Sequence, residues 1–554
     1  MLGTFLGLEI AKRGLQTQQA AIEVTAHNIS NANTPGYTRQ RVDLVATQPL
    51  EVPGLTSAIP GQVGTGVQVD KIERLRDDYL DTQYRQQNSY LGSWQAQQDA
   101  LQKVTAILNE PSDTGLSTVM QNFWNAWDKL SSNPNDLAAR NLVVQTSVTV
   151  AQTLNQTANQ LSQLQDDLNA SLSATVDQVN SYLTQIARLN QQIDSVLDDG
   201  KQPNDLMDQR DYLIDQLSNL ADVSVQTDTA GRITLSIGGQ VVLDDQTVTP
   251  DPSDSSKPLL QVTTDTTNPN YPLTIGVTSG KLQGLVAALN TVKSYQSDLD
   301  AFAYSLADGP ITVTLAGNWT IYADATGTAT LPVDIQIGSD KYPASTRLAD
   351  VAKDHPELGI AIDPVSGDAT IPQGKSITVF GLNGLLQMGY DQNGSQGKPL
   401  FVINPATTDS NVTAANITVN PAISQDVTTL AASFTKTAGD GTLAMTVSSV
   451  KLAQVQFSDP NDATASMPLR QGTFDSFLQA VVGQLGIQGQ QADQQVSNQQ
   501  ALVQQIDMQR QSVTGVSLNE EMSNLIQYQQ AFNASAKVVQ AVNDLLTTLI
   551  NSVR

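Results

Sequence analysis

His27 and His355 are the only imidazoles in a chain of 554 residues that has no cysteine. They lie far apart, and neither has a second His nearby, so a His/Cys metal cage, a thiolate nucleophile and a disulfide framework lack the residues to build them. Carboxylates are plentiful and often adjacent, as in Asp77-Asp78, Asp166-Asp167, Asp198-Asp199 and Glu520-Glu521. Paired carboxylates can do acid–base work, but nothing around these pairs separates them from solvated helix faces. Asp391-Gln392-Asn393-Gly394-Ser395 opens like a calcium loop, yet it lacks Gly at the sixth position and has Val402 where the twelfth needs Glu, so a turn is expected. Gly61-Gln62-Val63-Gly64-Thr65-Gly66 is glycine-rich but does not open a helix after a strand, and reads as a loop. No phosphate-binding Gly-x-x-x-x-Gly-Lys-Ser/Thr loop, His-Glu-x-x-His helix or nucleophile elbow with a downstream His is present. The expectation is a protein without catalytic, metal or cofactor sites.

Composition narrows the class. Lys plus Arg is 29 against 54 Asp plus Glu, a net charge of −25 that is spread along the chain. Such a surface repels phosphates and anionic lipid, so neither nucleic acid nor membrane is an expected partner. No run approaches the ~20 apolar residues of a membrane helix. Met1–Arg13 carries Glu9 within its apolar stretch and does not read as a cleaved secretory signal. Apolar residues make up 40% and aromatics only 5%, which suits cores of Leu, Val, Ile and Ala.

The elements that would position any site are mostly helical. Residues 1–30 read as an amphipathic helix, with Leu8, Leu15, Ile22 and Ile29 at seven-residue intervals. It stops at Ser30-Asn31-Ala32-Asn33-Thr34-Pro35-Gly36-Tyr37, where Pro35 and Gly36 fit the central positions of a type II turn. Residues 38–75 read as extended. From about 76 to 220 the pattern is helical, and 135–199 contain no Pro or Gly; fully helical, that stretch spans about 97 Å. Leu161, Leu168, Leu172, Val179, Leu183, Ile186 and Ile193 keep a near-heptad spacing along it. Alternation at Val223 and Val225 and at Ile233, Leu235 and Ile237, with turn signals at Thr229-Ala230-Gly231 and Gly238-Gly239, marks a β region over 222–280. Helix returns at 281–307, β structure at 309–380, and a mixed stretch rich in Thr, Ala, Asn and Gly at 381–470. From about 474 the chain is helical again, through a Gln-rich segment into a heptad of Leu518, Met522, Leu525, Phe532, Ala536, Val539, Leu546, Ile550 and Val553.

Helices at both ends of one chain imply nested domains of an α+β multidomain protein: a terminal coiled coil and a long-helix bundle, with outer β domains nested between the N- and C-terminal helical segments. The expected division is 1–75 with 515–554 as a terminal helical assembly domain, 76–221 with 471–514 as a long-helix bundle, 222–308 with 381–470 as a mixed β domain, and 309–380 as an inserted outer β domain. A narrow apolar seam on a lone helix needs a partner. The two ends satisfy each other only in part, which leaves a self-assembling protein and a secreted coiled-coil protein both open.

Asn28-Ile29-Ser30-Asn31-Ala32-Asn33-Thr34-Pro35-Gly36-Tyr37 resembles one signature of the flagellar rod, hook and hook-associated family, and Val516–Met522 with Gln530–Ala536 resembles its other end. Met120–Trp127, Asn133-Pro134-Asn135-Asp136 with Ala139-Arg140, Asn204–Asp211 and Gly389–Gly394 resemble the hook-associated members, which carry a long helical middle. The resemblance implies a structural subunit of the flagellum that forms a homo-oligomeric junction ring between hook and filament and is required for filament assembly. It implies contacts with the hook protein and with a second hook-associated protein on the filament side. It implies a cytoplasmic export chaperone on the C-terminal helix, and export without a cleaved signal to an extracellular position. Asn31, Asn33, Thr34, Pro35, Gly36 and Tyr37 would then shape the turn leaving the inner helix. Leu8, Leu15, Ile22 and Ile29 would form one assembly seam, and Leu518, Met522, Leu525, Phe532, Val539, Leu546 and Ile550 the other, which also takes the chaperone. Phe123, Trp124 and Trp127 are expected in local core. The 309–380 stretch reads as a spacer, an antigenic surface or an adhesive module. A hook or distal rod protein, an enzyme carried on a flagellar scaffold and an adhesin are the competing readings.

Overall fold

The computed structural model describes residues 3–49, 64–228, 231–437, 439–462 and 464–552. Met1, Leu2, Gly61-Gln62-Val63 of the glycine-rich stretch, Thr229-Ala230 and Val553 lie outside the described residues. In chain order the first part comprises α1 (Gly3–Asn31), β1 (Gln40–Ala46), β2 (Val67–Arg74), α2 (Asp78–Leu108), α3 (Leu116–Ser132), α4 (Leu137–Asp198) and α5 (Asn204–Leu220). Then follow β3 (Val223–Thr227), β4 (Ile233–Ile237), β5 (Gln240–Asp244), β6 (Thr247–Val248) and α6 (Gly280–Ala307). Next come β7 (Pro310–Thr314), β8 (Trp319–Ile321), β9 (Ile335–Ile337), β10 (Asp340–Tyr342), α7 (Leu348–Asp354), β11 (Ala361–Ile362), β12 (Ala369–Ile371) and β13 (Ser376–Phe380). The last part holds α8 (Gly381–Gln387), β14 (Phe401–Ile403), β15 (Ile417–Val419), α9 (Pro421–Gln425), α10 (Thr442–Ser449), β16 (Gln454–Gln456), β17 (Gln471–Gly472), α11 (Phe474–Thr514) and α12 (Leu518–Ser552). This is an α+β fold with long helices at both ends and small sheets between them.

Local chemistry sets the helix limits. Asp77 Oδ1 accepts from the Tyr79 and Leu80 amides at the start of α2, and Asp136 Oδ1 from the Ala138 amide at the start of α4. The 62-residue α4 runs about 93 Å. It ends at Gly200, whose φ of 72° lets its amide reach the Leu197 carbonyl while the Lys201 amide reaches that of Val196. Its heptad leucines and isoleucines, Leu161 through Ile193, are all 5% exposed or less.

The chain divides into two compact units. One is Met1–Ala96, Ser171–Val286 and Gln494–Arg554. It holds α1 with α12, the antiparallel β1–β2 ribbon, α5, and the antiparallel sheet β3-β4-β5-β6. The other is Gln97–Ala170 and Ala287–Asp493. Its main sheet has the order β10-β9-β13-β7-β16-β17, antiparallel throughout, so β16 from 454–456 joins strands of the 309–380 stretch. Ile311, Val313, Ile335, Ile377 and Val379 alternate inward, while Thr312–Thr378 and Thr314–Ser376 hydroxyl pairs, both at 2.9 Å, line the other face. Phe123 and Trp127 are fully buried and Trp124 is 6% exposed. Phe123 lies edge-to-face against Trp124 at 4.8 Å, and Trp124 meets Phe474 at 6.0 Å. Few aromatics thus serve a large core by touching one another.

Two features of this second unit carry measurable consequences. Gly483, Gly486 and Gly489 sit inside α11, and a Cβ added at any of them meets nothing within 4 Å. Glycine inside a helix costs roughly 0.5–1 kcal/mol against alanine. Each Gly→Ala change is therefore expected to raise stability by about that amount in urea unfolding; an unchanged or lower midpoint would refute the reading. The other feature is Asp298 on α6, 2% exposed, with an Oδ1 that has no hydrogen-bond partner. Burial and then the neighbouring Asp459 push its carboxyl up to about 7, and burial pushes Asp300 up to about 6. A raised acid binds more protons in the folded state, so its share of stability falls as pH rises from about 4 to about 7. Asp298→Asn should flatten that decline and gain roughly 2 kcal/mol at pH 8, as read by thermal unfolding across pH; a slope identical to that of the parent chain would sink the assignment.

Candidate functional site

The two ends of the chain form an antiparallel helix pair. A Cβ at Gly7 would lie 3.9 Å from Val542, one at Gly14 3.1 Å from the Ser535 hydroxyl, and the Asn28 amide donates to Glu521 Oε2 at 3.0 Å. Each step of seven forward along α1 is matched by a step of seven backward along α12, so the register is constant over their length. The buried positions of α1 are Ala11, Gly14, Thr17, Ala21, Thr25 and Asn28. Small residues on α1 let the two backbones approach. On α12 the matching face is Glu521, Leu525, Tyr528, Phe532, Ser535, Val539, Val542 and Leu546, at alternating intervals of four and three.

The residues read from sequence as seams take different places on this pair. Leu8, Leu15, Ile22 and Ile29 lie half-buried on a flank of α1, one position along from the small-residue stripe. Leu525, Phe532, Val539 and Leu546 are half-buried on the face toward α1, whereas Leu518, Met522 and Ile550 are 51%, 48% and 64% exposed. Ile526, Val538 and Leu545 are also about half exposed, so apolar side chains flank the seam of α12 on both sides. The opposite flank of α1 receives the β1–β2 ribbon, where the Thr17 hydroxyl donates to the Val67 carbonyl at 3.3 Å.

The turn leaving α1 is held from several sides. The Tyr37 amide donates to the Thr34 carbonyl at 3.2 Å, and Gly36 has φ 78°, the geometry of a type II turn with Pro35 and Gly36 at its centre. The Asn31 side-chain amide donates to the His27 carbonyl at 3.1 Å, and the Asn31 oxygen accepts from the Thr34 hydroxyl at 3.2 Å. A Cβ on Gly36 would stand 2.8 Å from that of Tyr212, so both space and φ require glycine. Asn33 and Pro35 are exposed. The Tyr37 phenol donates to Asn28 Oδ1 at 2.8 Å, and burial together with Asp205, Asp208 and Glu521 holds it well above the usual tyrosine range.

Asn28 is the centre of a polar knot. It exchanges two hydrogen bonds with the Gln40 backbone, 2.8 Å to the carbonyl and 2.9 Å from the amide, as well as binding Glu521. Glu521, 2% exposed, also takes Arg39 Nε at 2.8 Å, while Arg39 Nη1 reaches Glu520 at 2.8 Å. The Arg39 amide donates to the Thr514 carbonyl at 2.9 Å, tying β1 to the end of α11. Next to it lies a buried network of four arginines and four aspartates. Arg74 binds Asp208 and Asp211 at 2.9 and 2.8 Å, Arg76 binds Asp81 and, at 3.1 Å, Asp211. Arg85 binds Asp215 at 2.7 Å, and Arg510 binds Asp81 and Asp215 at 2.8 and 2.7 Å. The network joins the end of β2 to α2, α5 and α11. The sequence showed Asp208 and Asp211 only as part of a family-like stretch; Arg74, Arg76, Arg85 and Arg510 gave no spacing signal.

The other candidates for chemistry resolve into structural roles. Asp391 Oδ1 accepts from the Asn393 and Ser395 amides, each at 2.8 Å, which closes that stretch as an Asx turn. His355 pairs with Glu357 at 2.7 Å and Asp340 at 3.3 Å, and His27 with Asp205 at 3.4 Å. Among the described residues no group of three or more His, Asp or Glu is placed to hold a metal ion, and no helix is long and apolar enough to cross a membrane.

The network yields a sharp expectation. Burial alone would push the Asp211 carboxyl up, but Arg76, Arg74 and Arg85 outweigh it and hold it down to about 2. A depressed acid contributes stability above its unfolded value and loses it as pH falls from about 4 to about 2. Asp211→Ala leaves buried guanidinium groups without their shared carboxylate and should cost about 3–5 kcal/mol in urea unfolding at pH 7. A loss below ~1 kcal/mol would show that the network does not depend on it.

Three family profiles match the chain. The flagellar hook-associated protein FlgK helical domain matches residues 101–311, the flagella basal body rod protein 8–38, and the flagellar basal body rod FlgEFG protein C-terminal region 509–552. The last two cover most of α1 with its turn, and α12. Flagellar hook-associated protein 1 of Bacillus subtilis (strain 168) is 32% identical over 100% of this chain and 99% of its own length. Its counterpart in Escherichia coli (strain K12) is 27% identical, with 98% of each chain covered. A solved structure, that of the flagellar hook junction protein FlgK from Burkholderia pseudomallei, is 18% identical, with a TM-score of 0.45 over 78% of this chain and 100% of that one. Aligned with a relative from end to end at 32% identity, the chain belongs to the flagellar hook-associated protein 1 family.

Proposed function

We propose that this chain is a structural subunit of the hook–filament junction of the bacterial flagellum, with no catalytic step of its own. Copies would assemble into a ring through the α1–α12 pair. The hook protein would lie on one side and a second hook-associated protein on the other, before the filament grows. The observation that carries the reading is the surface of the terminal pair. Both helices keep apolar stripes that their pairing does not cover, and both are almost uncharged. On α1, Glu9 and Glu23 balance Lys12 and Arg13; on α12, Glu520, Glu521 and Asp544 face only Lys537, a net of −2. The whole chain carries −25. Like-charged copies repel over about a Debye length, so close packing is cheapest where charge is absent, and that is where the apolar stripes lie.

On this reading the two ends of the chain form one domain, the long helices a second, and the 309–380 stretch an insertion between the helical segments. It would leave the cytoplasm without a cleaved signal. A chaperone would cover the apolar faces of α12 beforehand, because an unpaired helix with three apolar flanks aggregates.

Val538→Asp with Leu545→Asp tests the role directly, since both side chains lie outside the α1–α12 seam. The purified variant should keep its helix content, while cells carrying it in place of the parent chain make hooks without filaments and lose flagellin to the medium. Normal filaments in those cells would overturn the assignment of this flank to assembly.

A further inference from the structure

We propose that Asn28, Glu521 and Arg39 act as a register lock, selecting one axial alignment of α12 on α1 against alignments shifted by seven residues. The seam itself discriminates weakly. Gly7, Gly14 and Ala21 are small residues at seven-residue spacing, and the face of α12 repeats with the same period. A shift of seven would again set small residues of α1 against the heptad face of α12. It would also carry Glu521 away from both Asn28 and Arg39. Asn28 is 1% exposed and Glu521 2% exposed, so a shifted pair would lose the buried Asn28–Glu521 hydrogen bond and the Arg39–Glu521 ion pair, while Asn28 keeps only its bonds to Gln40 and Tyr37. A single polar contact inside an otherwise apolar helix seam is the best-attested device for choosing register.

Chain connectivity leaves one direction of slip open. The joint between α11 and α12 is only Gly515–Ser517, and the Arg39 amide pins the carbonyl of Thr514 on its far side. Three residues cannot be drawn out by the roughly 10 Å that seven helical residues occupy. The first two turns of α12, in contrast, can unwind into the joint, which would bring Ser535 level with Ala21 instead of Gly14. The lock therefore decides which exposed side chains of the two helices lie side by side, and so the composite surface offered to another copy.

Because the chain has no cysteine, introduced pairs report register without interference. Gly14→Cys with Ser535→Cys reports the observed alignment, since a Cβ on Gly14 lies 3.7 Å from that of Ser535, within disulfide spacing. Ala21→Cys with Ser535→Cys reports the open slip, and Gly7→Cys with Ser535→Cys the closed one. Each pair is placed in the full-length chain, with and without Asn28→Ala plus Glu521→Ala, and cross-linking rates under mild oxidation are followed by gel mobility, with helix content from circular dichroism. With the lock intact, the native pair should close at least about tenfold faster than either other pair. Without it, that ratio should fall about fivefold or more for the Ala21 pair alone, at unchanged helix content. An unchanged ratio would mean that register is set elsewhere. Loss of helicity with no cross-link in any pair would assign the three residues to stability alone, and equal gains in both slipped pairs would remove the one-way constraint; each result overturns the proposal.

Discussion

The hydrogen bond between Asn28 and Glu521 joins residues 493 positions apart, and the architecture depends on that meeting. A two-stranded ribbon such as β1–β2 is marginal by itself, and a helix with one narrow apolar stripe cannot bury it alone. Here α1 serves both, covering the ribbon with one flank and α12 with its small-residue face. The Leu8 to Ile29 stripe of α1 and the flanks of α12 at Met522, Ile526, Val538 and Leu545 are the apolar surface that the pairing leaves uncovered. The shape of that surface therefore depends on the closure of the chain on itself.

The adjoining arginine–aspartate network does a different job. Buried ion pairs add little net stability when compared with apolar packing of the same volume. What they impose is geometry: four guanidinium groups and four carboxylates meet in one arrangement of α2, α5, α11 and the end of β2. Burial raises Asp208 despite Arg74, while the same burial is overcome at Asp211 by Arg76, Arg74, Arg85 and Arg210. Neighbouring carboxylates three residues apart thus carry opposite shifts, which shows how unevenly the positive charge is shared.

The extents of α1, the long α4 and the C-terminal helices were legible from the heptad spacing of Leu, Ile and Val, and that of α4 also from its lack of Pro and Gly. The turn was legible because Pro35 and Gly36 leave few backbone options. The face by which α1 meets α12 was not, because the sequence stripe follows large apolar residues while the contact is made by Gly14, Ala21 and their neighbours, whose value lies in what they lack. The charge network was hidden for another reason. Arg74, Arg76, Arg85 and Arg510 have no periodic relation to Asp81, Asp208, Asp211 and Asp215, and only the fold brings them together. The strand β16 joining β7 is of the same kind, a pairing of segments some 140 residues apart that no local pattern announces.

The long separation of the paired ends also sets an order of events in folding. Closing a flexible loop of that length costs about 5 kcal/mol of chain entropy, more than a seam of small residues returns at once. Once α5 and α11 are in place and the Arg39 amide has met the Thr514 carbonyl, the loop still to be closed shrinks to the few residues between Asn28 and Arg39 and between Thr514 and Glu521. The terminal pair is then the last part to form, late in the contact-order sense. The apolar faces of α1 and α12 are thus the last to be covered, after the interior of the chain has folded.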